Sequence, residues 1–404
     1  TGSSGEQDGN ITISGAINLT KNQDVTFSLI AHNNIDVKKN ISAEPVAGRK
    51  LNDNLSAGGN VVLADNVKIQ TSGGDFVIGE FDANKFVSSA VQNVQFGENA
   101  TVDVTGRYTD AEIKEYYPNA KGNPDGLAPS GRILIGADKN ISIDKLVIKG
   151  RDRVDANGVS LDKIRVVSKE GDITFSQGFI YDNNPTEVVD GKDPSNGYST
   201  ISLEAGAAIK IELHNDSRLS RGAIVAGPED GDGRPEHQDK LRVLMSAGGN
   251  IDIAGSVQTK GGDFKVLGAE TVSFKGRGLD ASLRVGDKNY FGDITLSANK
   301  LHFSNGDNPY VIKGRNLDLI VKEELVLPSI DAEENLSVVA AAKISQMQNS
   351  KVNVIGSASL VGSKTDIKIG EKENFFGGFV WIDGAQNVEI AAEKLEFGKI
   401  DEFG

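Results

Sequence analysis

The chain has 404 residues, 38% of them hydrophobic, with 47 glycines and 10 prolines; it is too apolar for disorder and too rich in glycine for a helical bundle. A formal net charge of −14 argues against nucleic acid and anionic membrane surfaces as partners. No apolar run is long enough to span a bilayer, and the absence of cysteine fits bacterial export.

Thr1-Gly2-Ser3-Ser4-Gly5 reads as a flexible lead-in without signal-peptide character, opening a mature piece of a longer protein. The first patterned phrase is Asn10-Ile11-Thr12-Ile13, a turn residue followed by apolar positions at period 2. That spacing puts Ile11 and Ile13 on one face of a strand. The phrase returns as Asn140-Ile141-Ser142-Ile143, Gly171-Asp172-Ile173-Thr174-Phe175, Asn250-Ile251-Asp252-Ile253, Gly292-Asp293-Ile294-Thr295-Leu296 and Asn387-Val388-Glu389-Ile390. Ser56-Ala57-Gly58-Gly59-Asn60 leads to Thr71-Ser72-Gly73-Gly74-Asp75-Phe76, and Ser246 to Asn250 leads in the same way to Thr259-Lys260-Gly261-Gly262-Asp263-Phe264. Only Asp110 to Tyr116 offers a turn or two of helix.

Short β-branched strands bounded by Gly, Asn and Asp, recurring about every 20 residues without crossover helices, indicate a solenoid. The expected fold is all-β: a right-handed parallel β-helix with loops outside the coil, forming a single elongated body over residues 1–404. Ile11, Ile13, Val61, Leu63, Ile133, Ile135, Ile173, Phe175, Ile251, Ile253, Ile294 and Leu296 are the expected inward residues.

Four stretches break the repeat, at about 107–131, 181–199, 214–240 and 371–379. A regular coil offers flat, fully paired faces, so binding is expected on such insertions. The first carries Tyr108, Tyr116, Tyr117, Asn119, Asn123 and Asp125, and the second Tyr181, Asn196 and Tyr198. Tyrosine rings stack on sugar faces and asparagine tips bond hydroxyls, so these nine are the candidate ligand-binding residues. Glu371 to Phe379 brings Phe375 and Phe376 near the lone Trp381.

Gly227 to Gly233 is acidic but lacks the spacing of an EF-hand or a calcium β-roll. The histidines at 32, 214, 237 and 302 are scattered. No metal site, cofactor or catalytic residue is therefore assigned. Asn10, Asn18, Asn40, Asn54, Asn99, Asn140, Asn215 and Asn335 begin Asn-x-Ser/Thr sequons and are candidate glycosylation sites. In several of them the fold itself, with Asn at the turn before a strand, produces the tripeptide.

Ser-Ala-Gly-Gly-Asn at 56–60 and 246–250, Thr-x-Gly-Gly-Asp-Phe at 71–76 and 259–264, and the Asn-Ile-Thr-Ile phrases resemble the filamentous-haemagglutinin-type exoproteins of bacterial two-partner secretion. Autotransporter passenger domains use similar phrases. The Asn-Pro-Asn-type motifs of the secretion domain are missing, since Asn184-Pro185-Thr186 and Asn308-Pro309-Tyr310 do not match, so the chain reads as an internal segment. The resemblance implies a secreted adhesin at the bacterial cell surface that binds a host-cell glycan or receptor. It also implies an outer-membrane transporter partner, engaged through a part of the protein outside this chain. The expectation is a monomer that is not an enzyme. An exoprotein capturing a host carrier protein and a polysaccharide-degrading β-helix enzyme are the alternatives.

Overall fold

The computed structural model of the chain describes residues 9–397, except 21–22, 44–49, 83–84, 89, 108, 110, 112–113, 115–126, 129–130, 149–152, 155–159, 182–197, 214–221, 227–239, 286–287 and 305–307. It is a parallel β-helix, with 61% of residues in strands and 1% in helix. Of the expected helical turn at 110–116, Ala111 and Lys114 are helical and the remainder lies outside the described residues. The contacts divide the chain into an N-terminal unit, 1–209 with 227–239, and a C-terminal unit, 210–226 with 240–404.

In the N-terminal unit each coil supplies one strand to each of three parallel sheets. The first sheet stacks Val25–Ala31, Leu51–Ala57, Phe76–Ile78, Ile133–Ala137, Ile164–Ser168 and Tyr198–Ala205 in that order. The second runs from Ile11–Ile13 through Ile35–Val37, Asn60–Leu63, Asn93–Phe96 and Ile141–Ile143 to Ile173–Phe175. The third begins Ile17–Leu19, Ile41–Ala43, Lys68–Gln70, Thr101–Asp103. Period-2 alternation sets which side chains enter: Leu51–Ala57 turns Leu51, Asp53, Leu55 and Ala57 inward. Val61, Leu63, Ile133, Ile135, Ile173 and Phe175 are buried as expected, whereas Ile11 and Ile13, in the outermost described coil, are half-buried.

The C-terminal unit repeats the plan. Its first sheet stacks Lys240–Ala247, Phe264–Val266, Ile294–Ala298, Leu317–Val321 and Leu336–Ala340. Ile251, Ile253, Ile294 and Leu296 are buried, and Phe274, Phe303 and Tyr310 cluster in the core with ring centroids 5.5 to 5.8 Å apart. In the last coils the corners straighten, and Ala358–Ile369 pairs with Phe375–Ile390 through register shifts. The stretch 371–379, expected as an inserted loop, is a short turn at 371–374 followed directly by that strand.

Polar ladders run along the corners. In the N-terminal unit the Asn10 side-chain oxygen accepts the Asn34 N–H, Asn34 that of Asn60, Asn93 that of Asn140, Asn140 that of Asp172, and Asp172 that of Ala208. Nδ2 of Asn93 donates to Asn60 Oδ1 and closes the series. The C-terminal unit has a ladder at another corner, where the coil enters its first sheet, from Asp263 to Asp293, Asn316, Asn335 and Ser357. Most rungs meet a backbone donor that turning away from the sheet would leave unpaired, while Asn60–Asn93 and Asn316–Asn335 join side chains.

Candidate functional site: the insertion corner

A coil leaves the third sheet and re-enters the first through one corner, and that corner carries several arms; one further hairpin, Glu80–Asp82 against Lys85–Ser88, stands instead between the first sheet and the second. In the N-terminal unit, Gly106–Arg107 pairs antiparallel with Leu127–Ala128 as the stem of the first insertion, between Thr101–Asp103 and Ile133–Ala137. The next coil places Arg153–Val154 against Ser160–Leu161 at the same corner, between Leu146–Ile148 and Ile164–Ser168. The coil after that leaves the third sheet at Tyr181 and re-enters the first at Tyr198. In the C-terminal unit a hairpin of Ser282–Val285 and Lys288–Phe291 leaves after Gly278–Asp280.

The Thr-x-Gly-Gly phrases form the floor of this corner. Ser72 and Gly73 have φ of 53° and 92°, and Lys260 and Gly261 have 47° and 78°. Two successive left-handed residues make a tight turn of the I′ kind, closed by N–H bonds from Gly74 to Thr71 and from Gly262 to Thr259. A Cβ on Gly74 would lie 2.0 Å from the Leu51 carbonyl oxygen, and one on Gly262 2.0 Å from that of Leu241, so no other residue fits. The arms close identically. Asp103 accepts the Thr105 N–H and Gly131 donates to Val104, while Asp280 accepts that of Ser282 and Gly292 donates to Ala281. The insertion at 107–131 and the hairpin at 282–291 thus occupy equivalent places in the two repeats.

Several charges at the corner are paired. Asp75 accepts the Arg132 N–H and also its Nε and Nη2, the last at 2.8 Å. Arg165 bridges Asp162 and Glu204, and Ser202 Oγ donates to Asp162 at 2.6 Å. In the C-terminal unit Arg315 clamps Asp293 through Nε and Nη2, which holds that carboxyl below the usual carboxylate range. Among the described residues no group of three or more His, Cys, Asp or Glu is placed to hold a metal ion.

Of the candidate ligand-binding residues, Tyr181 ends one strand and Tyr198 begins another, at the two feet of the second insertion. Tyr108, Tyr116, Tyr117, Asn119, Asn123, Asp125 and Asn196 lie outside the described residues, as do most of 214–240, including the acidic Gly227 to Gly233. The side-chain oxygens of sequon residues Asn10, Asn18, Asn40, Asn140 and Asn335 accept bonds from the neighbouring coil. Asn99 sits in a turn at φ 55°, Asn54 is half-buried on a strand, and Asn215 lies outside the described residues.

One exposed feature was not legible. Phe376 is buried and Phe375 half-buried, whereas Phe379 and Trp381, two residues apart on the outer face, are 48% and 40% exposed with ring centroids 6.1 Å apart. Alternation along Phe375–Ile390 would have found the pair had this stretch been read as a strand. Comparison with protein-family models, curated proteins and solved structures yields no match.

Proposed function

We propose that this chain is a segment of a secreted bacterial surface adhesin, a β-helix that carries its binding residues on arms at one corner and binds a host-cell glycan or receptor. The observation that carries this reading is topological: the insertions at 107–131 and 181–199 leave the coil at the same corner, with the 153–161 stem on the coil between them. With one coil between them, the roots of the two insertions stand two strand spacings apart, roughly 10 Å. Side chains from the two insertions can therefore converge on a single ligand. Tyr116, Tyr117 and Tyr198 would stack on sugar rings while Asn119, Asn123 and Asn196 bond hydroxyls. Binding rather than catalysis is favoured because Asp75, Asp162 and Glu204 at this corner are tied to arginines, and Asp103 and Asp280 bond the turns that begin the arms. Export as a monomer, and an outer-membrane transporter recognising a part of the protein outside this chain, complete the proposal.

The test is a glycan array probed with the chain and with a Tyr116→Ala/Tyr117→Ala variant. Selective glycan binding that falls tenfold or more in the variant, at an unchanged melting temperature, supports the reading. Undiminished binding after excision of 108–126 would remove this arm from the site. Binding to a host carrier protein with none to glycans would favour the capture reading, and cleavage of a polysaccharide would replace both.

A further inference from the structure

Asp53 is the one buried acidic side chain among the described residues. It occupies an inward position of Leu51–Ala57, in register with Phe27 on one side and Phe76 on the other. Neither carboxyl oxygen has a hydrogen-bond partner. The second repeat shows what this position is built for. Asp53 donates its N–H to the Asp75 carbonyl as Val243 does to that of Asp263, so Val243 is the equivalent residue, and it is fully buried.

The strands packed against Leu51–Ala57 turn only apolar side chains inward around it: Phe27, Ile35, Val37, Val61, Leu63 and Phe76. The charged groups these strands carry face elsewhere. Asp36 alternates outward between Ile35 and Val37, and the Asp75 carboxylate next to Phe76 is bound to Arg132. With no countercharge and no donor, burial alone pushes the Asp53 carboxyl up to about 7, so near neutrality it passes from a neutral to an ionised group inside the core.

We propose that Asp53 is a pH-responsive element whose ionisation loosens the coils beneath the root of the 106–128 arm. The route is short. The Asp53 N–H bonds the Asp75 carbonyl at 2.9 Å, the Asp75 carboxylate grips Arg132, and the Phe76 N–H bonds the Arg132 carbonyl at 2.8 Å. Arg132 is the first residue after Gly131, where the arm rejoins the coil. A strand displaced by a buried carboxylate therefore shifts Arg132, the neighbour of the residue that closes the arm. The inference stands independently of what the arm binds.

The sign follows from linkage. A carboxyl whose folded value lies above its unfolded value, about 4, lets the folded state hold its proton more tightly. Local stability is then highest at acid pH, declines from about pH 4 to pH 7, and stays low above that.

The experiment is amide exchange of the full chain at pH 5 and pH 8, corrected for the intrinsic pH dependence of exchange, with Asp53→Val and Asp53→Asn beside it. Residues 51–57 and 76–78 should lose protection tenfold or more between the two pH values, while 317–340 do not, and both variants should abolish the difference. The same loss of protection in Asp53→Val and the unaltered chain would overturn the proposal. Should both variants fail to fold, carbon-detected titration of the Asp53 carboxyl in the unaltered chain decides. A midpoint near 7 sustains the proposal, and one in the ordinary carboxylate range refutes it.

Discussion

Gln346 and Asn374 exchange a pair of side-chain bonds in the core of the last coils: Gln346 Nε2 donates to Asn374 Oδ1 at 2.8 Å, and Asn374 Nδ2 returns one to Gln346 Oε1 at 2.9 Å. Asn374 also accepts the Val352 N–H and donates to the Ala391 carbonyl, and it is fully buried. A buried network is costly to leave half made. Asn374→Leu should lower stability by about 2–4 kcal/mol, and Gln346→Leu by less. Denaturant melts of the single and double variants check this; the double loss should fall short of the sum, because the two changes remove the same bonds.

Gly74→Ala and Gly262→Ala should each cost about 3 kcal/mol or more, since the added carbon meets a backbone oxygen that cannot withdraw without breaking the coil below. Gly268→Ala is the control. Nothing lies within 4 Å of the position of its Cβ, and its melting temperature should be unchanged or slightly raised.

Ile251 is fully buried and in register with Val272. Ile251→Asp places a charge in that core and should cost roughly 3–5 kcal/mol, read as a drop in the denaturation midpoint with exchange protection lost first around 251–253 and 271–275. Unaltered melting would place Ile251 outside the core.

The Asp293–Arg315 clamp predicts a pH dependence opposite in sign to that at Asp53. A carboxyl held below its unfolded value of about 4 contributes stability above that pH and loses it as pH falls through the lowered folded value. Because both groups are partly exposed, Arg315→Met should cost only about 1 kcal/mol near neutrality. The difference between the two proteins should vanish as acid protonates Asp293, and shrink in high salt, in melts run from pH 7 to pH 2.

Much of the fold could be read from period-2 alternation, because each coil meets its neighbours through the same two or three inward positions: Ile173 and Phe175, or Ile251 and Ile253, are buried as their spacing requires. The paired Thr-x-Gly-Gly phrases announced a repeated corner, though not that arms stand on it, because closure by Gly131 and Gly292 depends on contacts between coils. Glu371-Lys372-Glu373-Asn374-Phe375-Phe376-Gly377-Gly378 misled because paired glycines resemble a turn. Gly377 is instead a strand residue over the Ile355 carbonyl, where a Cβ would sit 2.1 Å from the oxygen. Asp53 was hidden for a related reason: Leu51-Asn52-Asp53-Asn54 has the composition of a loop, and only its alternation marks the aspartate as inward. The candidate site was legible as insertions in the chain, and its common corner emerged only with the order of the sheets.

The ladder of asparagines has an evolutionary corollary. Its rungs in the N-terminal unit join residues 24, 26, 33 and 47 positions apart, yet every rung spans the same step from one coil to the next. Chain length between rungs is thus uncoupled from the geometry of the coil. Residues gained or lost at a corner leave the pairing of every strand untouched, so this scaffold can change what it displays, by lengthening, trimming or exchanging an arm, without renegotiating how it folds.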